Sequence, residues 1–403
     1  MTKRLKKQAK PVVFLGIVIG CALIVSGVLG LSGHLNNQEA IKSKKKNQVS
    51  ETKTNSSSQN KSDQKMPKMT LEQKVGQLFM TGMPANNYDQ ATFDAIEKYQ
   101  VGSIILTGRS NLIIPEMKVI TDKLQGLAPA NRRLLISCDQ EGGNVQVLQG
   151  TGFSEMPNGL IQGSWAPEKL QEEAKNWGSE LSTAGINFDL APVADQVLSA
   201  DFAPQNAPIG YWSRQYAYDK ANIVSHADAF SKGMKSAGVL TTAKHFPGLG
   251  AVTGNTDISA GVRDSQTNPK SESVQIFKEL ISSGVPSIMT ATAIYDQIDP
   301  ELPGAFSPKM VDGLLRNQLG FDGLVITDDL SNAVQVQAWS PGQRAVLALA
   351  AGNDLVLANE PTQIPEMISE VLQKAKSDQG FAEKINQASS RVMKVKEQMK
   401  LVE

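Results

Sequence analysis

The chain has 403 residues, with 40 Lys and Arg balanced by 40 Asp and Glu, 40% hydrophobic and only 5% aromatic residues. Zero net charge argues against a nucleic-acid partner, which requires a basic surface. The two cysteines, Cys21 and Cys138, leave the globular part without an internal disulfide, and a chain of this length can bury a sufficient core without one.

Lys3, Arg4, Lys6, Lys7 and Lys10 precede an apolar run over residues 12–31. Roughly 20 apolar residues suffice to cross a bilayer as a helix. Basic residues on the leading flank predict a cytoplasmic N-terminus and an outward-facing remainder. Val18-Ile19-Gly20-Cys21 also resembles a lipoprotein processing site with Cys21 as the lipidated residue. A single-pass anchor, a lipoprotein attached at Cys21 and a freely secreted form all stay open, and each puts the rest of the chain outside the membrane. Residues 1–35 are therefore read as an anchor or signal segment. Residues 36–68 are rich in Lys, Ser, Asn, Gln and Thr, too polar to offset the entropy of ordering, and read as a flexible linker. Fully extended, such a linker reaches roughly 100 Å.

Residues 69–403 read as one folded domain. Thr70 and Gln73 fit a capping box ahead of the amphipathic stretch that starts at Leu71. Short apolar runs then recur at residues 78–81, 102–106, 134–138, 186–191, 239–243, 286–290, 324–327 and 354–357. Helix-like segments lie between them, among them 217–236 and 343–351, and an amphipathic helix over 381–400 closes the chain. Eight such runs alternating with helices predict the α/β class and a (β/α)8 TIM-like barrel, since an open doubly wound sheet usually has fewer strands.

Polar residues stand just beyond these runs: Asp139 and Glu141, Asp195, Lys244 and His245, Thr292, then Asp328 and Asp329. At the ends of parallel strands they would share one rim, where this architecture carries its active site. Asp328 and Asp329 have a second reading as a helix N-cap before residues 330–334, with Asp329 the better suited to it.

The strings Met69-Thr-Leu-Glu-Gln-Lys-Val-Gly-Gln-Leu-Phe79, Asp139-Gln-Glu-Gly-Gly143, Gly185-Ile-Asn-Phe-Asp-Leu-Ala-Pro-Val193, Lys244-His-Phe-Pro-Gly248, Arg316-Asn-Gln-Leu-Gly-Phe-Asp-Gly323, Thr327-Asp-Asp-Leu-Ser331 and Ala351-Gly-Asn-Asp354 occur in this order. Together they resemble glycoside hydrolase family 3, in its single-barrel β-N-acetylhexosaminidase branch. The resemblance covers nearly the whole chain beyond the linker. It implies a retaining mechanism through a covalent glycosyl-enzyme, with Asp328 as nucleophile. It also implies that Asp139, Lys244 and His245 bind sugar hydroxyls; Asp139 as a satisfied strand-end carboxylate and His245 as a structural histidine are the bland alternatives. Glu141 is read as structural.

The proton donor departs from the family pattern. Similar enzymes carry Asp-Ser-His on a loop after Lys-His-Phe-Pro-Gly-His-Gly, with that final histidine as acid/base. Here the loop reads Leu249-Gly-Ala-Val-Thr-Gly-Asn255-Thr256-Asp257, and the three histidines of the chain, His34, His226 and His245, lie elsewhere. Aligned without gaps, Asp257 takes the place of the histidine and Asn255 that of its orienting aspartate. A carboxylic acid can act there if burial or a neighbouring charge raises its pKa, which makes Asp257 the candidate acid/base; an inert capping residue on a solvated turn is the alternative. Arg214 stands two places later than the substrate-binding arginine of relatives and is kept as a candidate substrate ligand. Trp212 is either a sugar-stacking face or packed core. Thr292 replaces a frequent histidine.

The resulting expectation is a retaining exo-acting enzyme outside the cytoplasmic membrane, tethered to it, releasing terminal N-acetylglucosamine from peptidoglycan-type cell-wall glycan. A β-glycosidase for another sugar and a catalytically silent glycan-binding barrel are the alternatives. A carbohydrate substrate, membrane attachment through the N-terminal helix and a monomeric state are expected, with no cofactor and no metal.

Overall fold

The computed structural model describes residues 68–402. The anchor expected over 1–35 and the linker expected over 36–68, Lys68 apart, lie outside the described residues. Among the described residues no helix is long and apolar enough to cross a membrane.

Among the described residues nine short strands run parallel: β1 (Phe79–Pro84), β2 (Ser103–Thr107), β3 (Leu135–Cys138), β4 (Phe188–Asp189), β5 (Leu240–Thr241), β6 (Ala243–Phe246), β7 (Ser287–Thr290), β8 (Leu324–Thr327) and β9 (Val356–Ala358). Each apolar run predicted from sequence contains or overlaps one of them. They are buried on both faces. Ile104 and Leu106 belong to one core cluster while Ile105 belongs to the other, and Val325 is likewise divided from Leu324 and Ile326. Alternate side chains therefore enter opposite layers, as the two-residue period of a strand dictates.

The ladders do not close into the eight-stranded barrel expected from the sequence. They form a six-stranded sheet in the order β9-β1-β2-β3-β4-β5 and a separate three-stranded sheet in the order β8-β7-β6. Isolated bridges, Val193↔Lys244 and Ile326↔Leu355, stand between the two. Both interruptions have local causes. Beyond β4 the chain reaches Pro192, which has no N–H to extend a ladder. On the other side the backbone N–H of Val325 donates to the Asp354 side chain at 2.9 Å, so a carboxylate occupies that edge.

The first helix, α1 (Leu71–Gln77), starts at the Thr70–Gln73 capping box. The predicted helices around 217–236, 343–351 and 381–400 appear as Lys220–Ser236, Pro341–Ala351 and Gln379–Gln398. No helix follows Asp328 and Asp329; the chain bends there and makes a 3-10 turn at Val334–Val336. Cys138 is buried and has no disulfide partner among the described residues.

Candidate active site

A cavity of about 600 Å³ opens at the carboxyl ends of the strands, lined among others by Asp139, Arg214, Lys244, His245, Asp257 and Asp328. Ligands in α/β folds bind at this end because the loops there diverge and backbone groups are left unpaired. Ile105, Leu190, Met289 and Leu357 supply apolar lining.

Asp139 follows β3 directly, and Lys244 lies within β6. Lys244 is 2% exposed, so its charge needs partners. Its ammonium meets Asp139 Oδ1 at 2.5 Å and Glu141 Oε1 at 2.6 Å. Arg214 then grips the same Glu141 with two bonds, Nε to Oε2 at 2.8 Å and Nη2 to Oε1 at 2.7 Å, and donates Nη1 to the Pro208 carbonyl at 2.8 Å. Burial acts to raise the Glu141 carboxyl, but the charges of Arg214 and Lys244 outweigh it and hold the pKa at about 2. Burial would lower Lys244, and Asp139 and Glu141 reverse that and push it above its ordinary value. Glu141 is therefore a buried counter-ion that fixes two cations.

Several donors and acceptors of these side chains remain for a ligand. An ammonium has three N–H groups and a guanidinium five. After these contacts, and among the described residues, Lys244 keeps one, Arg214 keeps two, and Asp139 keeps Oδ2, with its side chain 30% exposed. His245 Nδ1 lies 2.7 Å from Asp195 Oδ2, whose other oxygen accepts the amides of His245 and Leu249. A carboxylate partner makes Nδ1 the donor and leaves Nε2 free. These are charge-assisted groups with unused capacity, suited to a polyhydroxylated ligand.

Asp328 follows β8, and its backbone N–H donates to the Thr290 carbonyl at 3.0 Å, which anchors it to β7. Its Oδ1 accepts the Asp329 amide at 2.9 Å. Burial raises its pKa, while His245, the Asp329 amide and Lys244 oppose the rise. Asp329 serves the loop instead, since its carboxylate accepts the amides of Ser331, Asn332 and Asn359 and the Ser331 hydroxyl.

Asp257 stands on the exposed rim. Its backbone is fixed from two sides. Asn255 Oδ1 accepts the Asp257 amide at 2.9 Å, and the carbonyls of Thr256 and Asp257 accept the amides of Gln335 and Val334. Asn255 thus holds the backbone of Asp257 rather than its carboxyl. Loss of water on the cavity side and then the negative charge of Asp328 push the Asp257 carboxyl up to about 6, against the opposing pull of His245 and Arg214.

Thr292 is buried, does not line the cavity, and has no partner for its hydroxyl among the described residues. His226 is also buried away from it, both ring nitrogens facing backbone carbonyls of Asn222 and Trp165. Sequence reasoning did not single out Arg109, Asn144, Asn206 or Asn359. Asn359 follows the end of β9 immediately, so the strand-end rule would have found it. Asn206 carries no motif signal.

A strand-end cavity holding two carboxyls and spare charged donors fits the class of enzymes that act on sugars. Comparison with known proteins supports the same class. The glycosyl hydrolase family 3 N terminal domain matches residues 70–395, and the chain belongs to that family, a glycoside hydrolase acting on O-glycosyl bonds of a carbohydrate substrate. A beta-hexosaminidase of Alkalilimnicola ehrlichii is 33% identical over 281 residues, 67% of this chain and 77% of that one. The crystal structure of a β-N-acetylhexosaminidase from Beutenbergia cavernae superposes with a TM-score of 0.81 at 49% identity, covering 82% of this chain and 99% of that chain. A family 3 β-N-acetylglucosaminidase from Paenibacillus gives a TM-score of 0.75 at 29% identity, over 83% and 63% of the two chains.

Proposed function

We propose that this protein is a monomeric, retaining β-N-acetylhexosaminidase that releases terminal N-acetylglucosamine from cell-wall glycan or its fragments, outside the cytoplasmic membrane and attached to it through the apolar run at residues 12–31. The observation that carries the reading is the sharing of one cavity by two carboxyls, Asp328 and Asp257, in different surroundings. Asp328, as carboxylate, attacks the anomeric carbon while Asp257 gives its proton to the departing glycosidic oxygen. The bond from C1 to that oxygen breaks as the bond from C1 to the Asp328 oxygen forms. Asp257, now a carboxylate, takes a proton from water, whose oxygen displaces Asp328 and restores both groups. Asp139, Lys244, His245 and Arg214 hold the hydroxyls of the sugar through the donors and acceptors they have left. The sugar preference draws support from the named relatives, and the location from the basic flank and polar linker of the N-terminal sequence.

A panel of chromogenic glycosides tests this, with N-acetyl-β-glucosaminide expected to be the preferred substrate. Asp328→Asn is expected to lower kcat by on the order of 10³-fold or more, and a fluorosugar inactivator to label Asp328 in peptide mass spectra. Absence of turnover with retained glycan binding would make the protein a lectin, and a label on another residue would displace Asp328. Deleting residues 1–67 removes the proposed export signal together with the anchor, and is expected to move activity from the membrane fraction to the soluble fraction inside the cell.

A further inference from the structure

Two aromatic side chains at the cavity mouth have no place in the chemistry above. Trp212 lines the cavity and is 43% exposed; Tyr211 beside it is 61% exposed. Their rings meet edge to face, with centroids 4.9 Å apart at 82°. Large rings left in water are unfavourable unless something covers them. Looseness does not account for the exposure, because the backbone that presents them is pinned. Gly210–Trp212 is a 3-10 turn closed by a left-handed Ser213 at φ 55°. The amide of Tyr211 donates to the Asn206 carbonyl, those of Trp212 and Arg214 to the Ile209 carbonyl. Gly210 packs so closely on Ala203 that a Cβ would meet its backbone at 2.7 Å.

The turn is also stitched to the loop that carries Asp257. Asn206 is fully buried; its Oδ1 accepts the Gly210 amide at 2.7 Å, and its Nδ2 donates to the carbonyls of Leu249 and Val252 at 2.8 and 2.7 Å. Ile258, beside Asp257, and Val334, whose amide donates to the Asp257 carbonyl, add further exposed apolar surface to this rim. A proton donor must stand against the glycosidic oxygen, so whatever that oxygen is attached to lies on the rim next to it.

We propose that Trp212, supported edge-on by Tyr211, is the platform for the leaving-group sugar, stacking its indole on the apolar C–H face of the pyranose beyond the cleaved bond. Asn206 is a positioning residue that keeps platform and proton donor in one frame. The proposal rests on the glycosidase reading above and assigns the side of the cavity that receives the departing half of the substrate.

The test compares two substrates with the same N-acetylglucosaminyl group: the β-fluoride, whose leaving group has no ring, and N,N′-diacetylchitobiose, whose leaving group is a pyranose. For Trp212→Ala, the ratio of kcat/KM on the disaccharide to kcat/KM on the fluoride is expected to fall roughly tenfold, the scale of one aromatic contact. Trp212→Phe is expected to recover most of that ratio, and Tyr211→Ala to lower it by a smaller factor. An unchanged ratio in Trp212→Ala overturns the platform, as does an equal loss on both substrates, which marks a structural role. If Trp212→Ala does not fold, the Trp212→Phe and Tyr211→Ala ratios decide on the same terms. Wild type that turns over the fluoride and not the disaccharide also overturns it. Wild type inert on both would fail the glycosidase reading itself, and the platform with it.

Discussion

Asp328 and Asp257 are the same residue type on one cavity, and their surroundings set them apart. Burial raises both carboxyls, but at Asp328 it is opposed by His245, the Asp329 amide and Lys244, whereas Asp257 is lifted to about 6 by loss of water and then by the charge of Asp328, against the pull of His245 and Arg214. An acid catalyst works only while it holds its proton, and the protonated fraction falls tenfold per pH unit above the pKa. With Asp257 as the proposed acid and Asp328 as the proposed nucleophile, the expected profile of kcat/KM against pH declines above about pH 6 because of Asp257, and declines at acid pH as Asp328 protonates. Asp257→Ala should remove the alkaline limb. It should also cost about 10²–10⁴-fold on glycosides with poor leaving groups, far less on activated ones. An alkaline limb that persists in the variant would assign it to another group. Asp139, Lys244, His245 and Asp328 reach the cavity for a reason visible in the sequence: each stands at or near the end of a short apolar run. Asn206 was hidden because its three partners are backbone groups in two loops, and no residue pattern announces a side chain that binds backbone.

At the scale of elements, the closing helix Gln379–Gln398 shows where periodicity succeeds and where it stops. Phe381, Ile385, Ala388 and Val392 recur at helical spacing and are buried, which the sequence makes plain. Lys396 on the same face is buried as well, and a lysine gives no such warning, since it is usually left in water. Its nitrogen donates to Gln77 Oε1 at 2.6 Å and to the Gly102 carbonyl at 2.7 Å, tying the helix to α1 and to the start of β2. Two acceptors match the two N–H groups of a neutral amine. Burial, then the charge of Arg132, lowers its pKa from 10.5 to about 7. Between those values the unfolded chain holds a proton that the folded chain lacks, so stability rises with pH across that window. The slope is at most about 1.4 kcal/mol per unit, and the penalty is fully present below pH 7. Urea unfolding of wild type and Lys396→Met is therefore expected to give a stability difference that shifts in favour of wild type between pH 7 and pH 10. A difference independent of pH would mean that the amine does not titrate in this range.

For the whole molecule, the count of apolar runs was legible and the closure was not. Alternation of strand and helix follows from local patterns, but whether ladders join depends on single backbone groups, here the missing N–H of Pro192 and the Val325 amide taken by Asp354. The same division places Lys244 and His245 on β6 and Asp328 at the end of β8, all on the three-stranded piece, while Asp139 ends a strand of the six-stranded one.

A small sheet flanked by irregular joints is the weaker partner under stress, because fewer regular ladder bonds protect its edges. In graded urea, catalysis should therefore disappear at a lower concentration than bulk ellipticity does, with amide exchange quickening first around Ala194, Lys244, Thr327 and Leu355. Coincident midpoints would make the two sheets one cooperative unit. If the midpoints separate, loss of turnover measures the integrity of a third of the strands, and an inactivated sample still holds most of its architecture and stands one local repair away from working again.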